Sequence, residues 1–306
     1  MSRTTTEQPA RRRGRHGGIK GRRLAPYLFV APNMLIFGLF TIWPALNGFN
    51  ISFYDSDDGR TFSFVGTDNY TDILGEDEFW EVVRNTLTFV VAFVAFTTVA
   101  AIALSLLLNA QLRGRGILRA AYFLPVLISP IVVGLIWNWA LERQVGLVNT
   151  VLEAVGLGQP GWLLDPQLAM GSTVLVGLWT HVGFFALILL AGLQAIDPNL
   201  NEAAGLDGAS AWQRTRHVTL PLLKPTTFVV VILATITGFQ AFDFIYTLTG
   251  GGPVGATTLI VQNIYEQAFV SPIEYGLASA ASVLLFIVIF GVTFANYLFA
   301  RRADAT

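Results

Sequence analysis

Long apolar runs alternate with short polar segments along nearly the whole chain. A helix needs roughly 20 mainly apolar residues to cross a bilayer. Six runs reach that length, at about 25–49, 84–109, 117–141, 169–194, 222–248 and 277–300. The first run is too long, and too poor in a cleavage site, for a signal peptide. The pattern predicts an all-α integral membrane protein with six transmembrane helices.

The polar segment between the fourth and fifth runs carries the signals of a short helix. Asn199 and Glu202 have the spacing of a capping box, and Asp197-Pro198 precedes them as a helix-start signal. Gly208 is suited to end that helix, because glycine tolerates the left-handed backbone of a C-terminal cap.

A second short helix is predicted directly after Gly208. Ser210 and Gln213 again have the spacing of a capping box. Pro221 is expected to close this helix, because proline donates no backbone hydrogen bond. A helix–turn–helix of this size cannot bury a core of its own, so it needs a partner.

Composition agrees with a membrane protein. Apolar residues make up 53% of the chain and charged residues only 13%, whereas soluble domains carry about 25% charged residues. The chain has no cysteine, which excludes disulfides, thiolate metal sites and thiol nucleophiles.

Basic residues are concentrated on one side of the predicted membrane. They occur in the first 23 residues, after the second run, in and just after the polar segment between the fourth and fifth runs, and after the sixth run. These residues are Arg3, Arg11, Arg12, Arg13, Arg15, Lys20, Arg22, Arg23, Arg113, Arg115, Arg119, Arg214, Arg216, Lys224, Arg301 and Arg302. The opposite loops are acidic instead, above all at 55–81. Because cytoplasmic loops are enriched in lysine and arginine, both termini are expected to be cytoplasmic.

Two features admit a nucleic-acid interpretation. A basic stretch at 11–23 and a cytoplasmic helix–turn–helix both occur in nucleic-acid-binding proteins. The membrane interpretation is favoured, because a basic tail beside a first span orients that span and contacts anionic lipid. The helix–turn–helix is tethered between spans and lacks base-reading side chains.

The polar segment between the fourth and fifth runs resembles a known family signature. Glu202-Ala203-Ala204, then Gly208, then Val218 and Leu220-Pro221 match the EAA signature of bacterial ABC importer permeases, with Val218 in place of the usual isoleucine. Further matches are Gly192–Ile196, Asn85-Thr86-Leu87, Leu124-Pro125, Asn149 and Phe242-Asp243. The run Thr249-Gly250-Gly251-Gly252-Pro253 is similar to the maltose-type F subunit of carbohydrate importers. The resemblance covers about residues 25–300.

This resemblance implies a type I ABC importer permease fold with four regions. They are a basic cytoplasmic tail at 1–24, a six-span permease domain at 25–300, an EAA coupling segment at 199–221 within it, and a cytoplasmic tail at 301–306. In the family, the coupling segment docks on a cytosolic ATPase. The residues implied in that role are Glu202, Ala203, Ala204, Asp207, Gly208, Leu220 and Pro221. An alternative for Glu202 is a capping role alone.

The chain itself has no sign of an ATP site. A phosphate-binding loop needs Gly-Lys-Ser/Thr, but Lys20 follows Ile19 and Lys224 follows Leu223. No catalytic constellation or metal-ligand spacing is visible, so the chain is not expected to be an enzyme. ATP and magnesium would bind to the partner ATPase.

Polar and aromatic residues in two spans are candidates for a substrate path. Intramembrane polar residues are costly and are often functional. In the fourth run Gly177, Thr180, His181 and Phe184 share one helical face, with Trp179 adjacent. In the fifth run Ala234, Thr237, Gly238 and Ala241 form a similar stripe, with Gln240 beside it. For Gly177, Gly238 and Ala241 close helix packing is an equal alternative, and for His181 a satisfied buried histidine is another.

The end of the fifth run is expected to form an outer gate. Thr249, Gly250, Gly251, Gly252 and Pro253 would lie there, near a docked binding protein. Asp243 falls about 22 residues into the run and is therefore expected near the outer surface. An interfacial position, or a bond to the glycine loop, is favoured for Asp243 over contact with a sugar. The acidic loop at 55–81 is either solvated or a contact of the binding protein.

The sequence thus indicates a permease subunit of an ATP-driven carbohydrate importer. Its expected partners are a second permease subunit, two cytosolic ATPase subunits, an extracytoplasmic solute-binding protein and membrane lipid. Alternatives are an importer for a non-sugar solute such as glycerol phosphate, an ion-coupled carrier and a membrane-embedded enzyme. A carrier predicts acidic residues near the middle of the membrane, and an enzyme predicts a polar cluster at one membrane face. Neither pattern is visible in the sequence.

Overall fold

The computed structural model describes residues 19–56, 58–110 and 115–303. Most of the basic tail predicted at 1–24, the loop at 111–114 and the last three residues lie outside this range. The described residues divide into two units, one up to Asn50 and one from Ile51 onward.

The first unit is a single helical run. Helix α1 (Ile19–Phe37) continues through a π-helical turn (Gly38–Ile42) into α2 (Trp43–Ile51). The stretch Pro26–Ile51 is long and apolar enough to cross a membrane. It confirms the first predicted span, with Pro32 inside α1.

The second unit contains twelve further described helices and one small sheet. They are β1 (Tyr54–Asp55), β2 (Ser63–Phe64), α3 (Asp68–Gly75), α4 (Asp77–Asn109), α5 (Arg115–Leu127), α6 (Pro130–Ala140), α7 (Leu147–Ala154), α8 (Pro166–Gln194), α9 (Pro198–Leu206), α10 (Ala211–Arg214), α11 (Leu220–Phe239), α12 (Asp243–Leu248), α13 (Ile260–Phe269) and α14 (Tyr275–Ala303). The two strands pair antiparallel, with Tyr54 opposite Phe64. This short hairpin is the only β-structure within the described ranges.

Three of the predicted spans are confirmed as uninterrupted helices. Helices α4, α8 and α14 contain the apolar runs at 84–109, 169–194 and 277–300, and each is long and apolar enough to cross a membrane. Helix α4 starts earlier than its apolar run because acidic residues occupy its first turn, where they face the positive end of the helix dipole.

The run at 117–141 is not one straight span. It consists of α5 and α6, which meet at an angle of 100°. Ser129 adopts an extended backbone, and Pro130 is the first residue of α6. A proline disfavours the α conformation of the residue before it, so Pro130 ends one helix and starts the next.

The run at 222–248 is also divided. Helix α11 ends at Phe239, and α12 begins at Asp243 after a break in which Phe242 has non-helical backbone angles (φ −148°, ψ −63°). Helix α12 then packs closely on α6. The side chain of Asn138 donates to the Leu248 carbonyl at 2.7 Å, and Thr247 Oγ1 donates to the Ile131 carbonyl at 3.1 Å.

Pro221 does not close a helix, contrary to the prediction. Helix α10 passes through a π-helical turn (Thr215–Thr219) into α11, so Ala211–Phe239 is one continuous helix. The Leu220 N–H donates to the Thr215 carbonyl, five residues back. The wider turn lets the helix continue where proline removes one backbone donor.

The core of the second unit lies between α4, α8 and α11. Phe89 and Phe93 of α4 are buried and stack with ring centroids 5.6 Å apart. A Cβ on Gly177 or on Gly238 would lie 3.3–3.4 Å from the Phe93 ring. The two glycines therefore allow α8 and α11 to pack against the same aromatic ring, which is the close-packing alternative for both.

Candidate functional site

A cavity of about 210 Å³ lies where both broken helices are interrupted. Residues of the α5–α6 break, of the α11–α12 break, of α4 and of α8 form its wall. They are Phe89, Phe93, Pro130, His181, Thr237, Gln240, Ala241, Phe242, Asp243 and Phe244. We call this space the central cavity.

Four of the residues predicted for a substrate path line the central cavity. They are His181 from α8, Thr237 at the end of α11, and Gln240 and Ala241 in the break. The structure thus brings together polar groups from two spans that the whole EAA segment separates in sequence. The Gln240 side chain is exposed and forms no hydrogen bond with any described residue.

His181 has a defined orientation in this wall. Its Nδ1 lies 2.9 Å from the Gly177 carbonyl, and since a carbonyl only accepts, Nδ1 carries the proton. In the neutral ring Nε2 is then an acceptor. The ring lies edge-on against Phe93 at 5.7 Å and stacks on Phe185 at 6.3 Å. His181 is therefore held by aromatic neighbours and by one local hydrogen bond.

Asp243 lies at the central cavity rather than beyond it. The expectation of a position near the outer surface assumed a straight helix from 222 to 248, and the break before Asp243 removes that assumption. Asp243 starts α12 and is exposed. Its carboxylate forms no hydrogen bond with the glycine loop or with any other described residue.

The other residues predicted for the path do not line this cavity. The Thr180 hydroxyl is buried and donates to the Val176 carbonyl at 2.8 Å, within its own helix. Trp179 packs edge-on against Trp137 of α6 at 5.4 Å. Phe184 packs on Phe185 and is 39% exposed. Gly238 packs against α4, as described above.

Besides Asp243, which is predicted for the outer gate, five cavity residues are given no role by sequence reasoning. They are Phe89, Phe93, Pro130, Phe242 and Phe244. Phe242 is a family match without a predicted role. The i,i+4 spacing of Phe89 and Phe93 is a usable signal, because such a pair presents two rings on one helical face. A proline at 130 predicts a kink, but its place at the cavity depends on the size of the bend.

The predicted outer-gate residues form a compact loop held by threonine hydroxyls. Thr249 Oγ1 lies 2.7 Å from Thr257 Oγ1, which also bonds the Gly252 carbonyl at 2.7 Å. Gly250 and Gly251 have φ of +59° and +86°, a backbone region that side chains disfavour. A Cβ on Gly251 would also lie 2.5 Å from Thr258 Oγ1.

Helix α4 anchors this loop. Asn85 Nδ2 donates to the Gly255 carbonyl at 2.9 Å, and Thr86 Oγ1 accepts from the Ile260 N–H at 2.9 Å. Asn85 and Thr86 are family matches without a predicted role, and the structure shows them holding both ends of the loop after Pro253. Directly before the first anchor, Val254 is 97% exposed with φ +50°.

The first helix of the EAA segment (199–221) begins earlier than predicted. Asp197 is the N-cap of α9, and its Oδ1 accepts from the Asn199 N–H at 3.0 Å. Pro198 takes the first helical position, where its missing N–H costs nothing. The predicted capping box of Asn199 and Glu202 is therefore wrong. A capping role for Glu202 is removed with it, and the Glu202 side chain is exposed.

Gly208 ends α9 in the predicted manner. Its φ is +84°, its N–H donates to the Gly205 carbonyl at 3.1 Å, and the Ala209 N–H donates to the Ala204 carbonyl at 3.0 Å. This pair of hydrogen bonds is a Schellman motif, in which the left-handed residue satisfies the last helical carbonyls. The turn between α9 and α10 is thus fixed by its backbone.

The second predicted capping box is confirmed. Gln213 N–H donates to Ser210 Oγ at 3.3 Å, and the Ser210 N–H donates to Gln213 Oε1 at 2.8 Å. On either side of the turn Leu206 is 91% exposed and Trp212 is 67% exposed. Sequence reasoning does not single out these two apolar side chains, although exposed apolar groups on a polar surface mark contact sites.

The remaining EAA residues surround two grooves of this segment. Glu202 lines a space of about 530 Å³ between α9, the π-helical turn and the ends of α4 and α8. Asp207 and Gly208 line a second, of about 370 Å³. Ala203 is exposed and Ala204 half-buried, and Leu220 and Pro221 start α11. The segment therefore offers both exposed apolar tips and polar grooves.

Comparison with known proteins places these features in a family context. Residues 101–305 match the family described as "Binding-protein-dependent transport system inner membrane component". The chain is 38% identical over 274 residues to the trehalose/maltose transport system permease protein MalF of Thermococcus litoralis, covering 87% of this chain and 90% of that protein. It is 32% identical to the sn-glycerol-3-phosphate transport system permease protein UgpA of Agrobacterium fabrum, covering 92% and 96%.

A solved structure has a similar fold. It is the bacterial alginate ABC transporter in complex with an alginate pentasaccharide-bound periplasmic protein, with a TM-score of 0.81 and 25% identity. The match covers 92% of this chain and 96% of that chain. The fold predicted for this chain, an ABC importer permease with a helical segment between the fourth and fifth spans, is confirmed.

Proposed function

Because the chain belongs to the binding-protein-dependent transport system inner membrane component family, we propose that it is the permease subunit of an ATP-driven carbohydrate importer. The observation that carries the proposal is the continuous helix Ala211–Phe239. It joins the EAA segment to Thr237 at the central cavity, over roughly 39 Å at 1.5 Å per residue. Movement of one end is therefore transmitted to the other.

The energy for this movement comes from another chain. The two lysines of the sequence, Lys20 and Lys224, do not lie in a phosphate-binding loop. ATP and magnesium bind to a pair of cytosolic ATPase subunits. The exposed side chains Leu206 and Trp212 enter a groove on one ATPase, as apolar anchors commonly do at interfaces.

Closure of the ATPases moves the EAA segment as a unit. The Schellman turn at Gly208 and the capping box at Ser210 hold α9 and α10 in one geometry. Rigid-body rocking of helices then opens the central cavity to one side of the membrane or the other. A second, different permease subunit supplies the opposite wall, and an extracytoplasmic binding protein delivers the solute.

The chemistry of the central cavity suits a carbohydrate. The Phe242 ring packs on a C–H face of a sugar, while His181, Gln240 and Asp243 meet its hydroxyls. Glycerol phosphate is the second candidate, since a relative is named for its transport. None of the described residues that line the cavity is lysine or arginine, which disfavours a phosphorylated solute.

An ion-coupled carrier is disfavoured on different grounds from those that the sequence suggests. The sequence predicts no acidic residue near the middle of the membrane, but Asp243 lies at the cavity. Membership of a binding-protein-dependent family supports an ATP-driven importer over an ion-coupled carrier. In this proposal Asp243 accepts hydrogen bonds from sugar hydroxyls.

The orientation in the membrane follows from the basic residues. Arg214, Arg216 and Lys224 lie in and directly after the EAA segment, and cytoplasmic loops are enriched in such residues. We place this segment and both termini on the cytoplasmic side.

The test is purification of the tagged chain from its native membrane in mild detergent. We expect it to bring down a phosphate-loop ATPase, a second permease and a sugar-binding protein, with ATPase activity. Gly208→Asp should lose the ATPase, because it adds strain and charge at the turn. Gly156→Asp is the matched control, since Gly156 also has a positive φ (+80°) and open space around it.

Two results would contradict the proposal. One is a wild-type chain that purifies alone and without ATPase activity. The other is equal loss of the ATPase in both variants, which would reduce the effect of Gly208→Asp to general backbone strain.

A further inference from the structure

Four aromatic side chains, three of them in mutual contact, form a connected row from the central cavity to the surface of α13. Phe242 lies 5.0 Å from Tyr265 and 5.4 Å from Tyr246, measured between ring centroids. Tyr246 and Tyr265 are 5.5 Å apart, and Phe269 follows 5.4 Å from Tyr265. We call these four residues the aromatic track.

The aromatic track is continuous with the central cavity at one end and open at the other. Phe242 lines the cavity, and Phe269 at the far end is 68% exposed. Tyr246 and Phe269 belong to different helices, α12 and α13, so the row is a product of the tertiary fold. It leads from the cavity to the C-terminal end of α13, in the stretch between α11 and α14.

The polar atoms along this row are free. The hydroxyls of Tyr246 and Tyr265 make no hydrogen bond with any described residue, and the same is true of Gln240 and Asp243 at the cavity end. Tyr265 is half-buried, and tyrosine hydroxyls usually find a partner when their rings are covered. A ligand of this surface therefore has to present apolar faces to the rings and hydroxyl groups to the free polar atoms.

We propose that the aromatic track binds successive pyranose rings of an oligosaccharide between the surface of α13 and the central cavity. A pyranose has C–H faces that pack on aromatic rings and equatorial hydroxyls that bond phenol, amide and carboxylate groups. A lipid chain or an apolar helix would leave the carboxylate and the amide at the cavity end without partners, at a cost. This assignment rests on the proposed function and adds where the sugar travels.

The experiment uses the complete importer reconstituted in proteoliposomes with its binding protein. The probes are maltose and maltopentaose, and uptake is measured over a range of probe concentrations. Tyr265→Ala should raise KM for maltopentaose roughly three- to tenfold, the effect of losing one aromatic contact. The KM for maltose should rise less, since a shorter sugar occupies less of the row. Tyr265→Phe keeps the ring but removes the phenol hydroxyl, so it should raise the same KM less than Tyr265→Ala does.

Two further variants separate a ligand effect from a folding effect. Phe269→Ala changes an exposed side chain and should also raise KM for maltopentaose without affecting yield. Tyr297→Ala removes a tyrosine of α14 that is 50% exposed and lies outside the row, and it should leave both KM values unchanged. Recovery of the second permease should be the same in all variants, and Tyr297→Ala should keep the basal ATPase activity of wild type.

The outcomes are distinct. Wild-type uptake with unchanged KM values in Tyr265→Ala and Phe269→Ala overturns the aromatic track and leaves the proposed function standing. Loss of the second permease from Tyr265→Ala shows that the row is a subunit interface, which also overturns it. A wild-type complex that takes up neither probe overturns the track as a site for these sugars, while the proposed function is decided by the co-purification experiment.

Discussion

At the scale of single residues, Asp58 shows how one carboxylate organises a loop. It accepts hydrogen bonds from the N–H groups of Arg60 and Thr61, each at 2.8 Å, and from the Thr61 hydroxyl at 2.8 Å. The Thr61 and Arg60 amides lower the pKa of this carboxyl from 3.8 to about 2. The turn joins the two short strands of the second unit.

This shift predicts a pH dependence of the turn. A carboxyl whose pKa is lower in the folded state stabilises that state above its unfolded pKa, and the stabilisation is lost as the pH falls. We expect the turn to loosen between about pH 4 and pH 2. Faster amide exchange of Arg60 and Thr61 over that interval, absent in Asp58→Asn, would be the observation. A turn equally protected at pH 2 and pH 5 would contradict it.

Some site residues are predictable singly and others are not. Helical spacing puts His181 on one face with Gly177, and the structure bears out the link through a hydrogen bond between them. Asn149 is predicted only as a family match. Its buried side chain donates to the Arg143 and Pro160 carbonyls and accepts from Trp162. Such a network joins residues whose proximity no local pattern encodes.

At the scale of elements, helix ends are harder to predict than helix positions. In α9 two side chains compete for the cap, because Asp197 and Asn199 are both good N-cap residues. Asp197 is the N-cap in the structure, because Pro198 is suited to the first helical position. A cap at Asn199 would have left Pro198 outside the helix.

The cap predicts different effects for two neighbouring substitutions. Asp197→Ala should destabilise the start of α9 by about 1 kcal/mol, because it removes the side-chain acceptor. Asn199→Ala is the matched control, and it should change the stability of the start of α9 by no more than a few tenths of the effect of Asp197→Ala. Hydrogen exchange of the Asn199 and Leu200 amides measures both. The reverse order of effects would restore the cap predicted from the sequence.

The two helix breaks escape sequence-based prediction for a physical reason. Apolar residues continue on both sides of each break, so a hydropathy pattern predicts one continuous span. The proline at 130 is visible, but a proline in a membrane helix is readily tolerated, and the bend here is 100°. The non-helical backbone at Phe242 is stabilised by packing of α12 on α6, which only the tertiary structure supplies.

At the scale of the whole molecule, glycines decide how closely the long helices pack. A Cβ on Gly183 of α8 would collide with the Tyr122 carbonyl of α5, and one on Gly192 would collide with the Thr226 side chain of α11. Small residues at such positions let membrane helices approach at backbone distance. Helix α8 is thereby in close contact with both broken spans.

Two alanine substitutions on the same helix test this packing. Gly183→Ala should lower the stability of the chain by about 1–3 kcal/mol, because a backbone group has to shift. Gly171→Ala is the control, since nothing lies within 4 Å of the place that its Cβ would take, and alanine favours a helix over glycine. Thermal unfolding in detergent compares the two. Equal midpoints for both variants would show that α5 and α8 are not tightly packed.

The architecture at this scale is predictable and the cavity is not. Five described helices are long and apolar enough to span a membrane, and the bent α5–α6 pair makes a sixth. Hydropathy reports that number directly. The central cavity needs the convergence of α4, α8 and the two breaks, and the contribution of Phe89 and Phe93 depends on that convergence.

The π-helical turn at Thr215–Thr219 has a consequence for angular phase. Each residue of an α-helix advances by about 100° around the axis, so the number of residues between Gln213 and Thr237 sets the azimuth of one relative to the other. The turn keeps both ends on one axis while changing that azimuth from its regular α-helical value. Removing a single residue from the regular α-helical part of this stretch would rotate the end at the EAA segment by about 100° relative to the end at the cavity. For the proposed transmission, the count of residues in the turn therefore matters more than their identity.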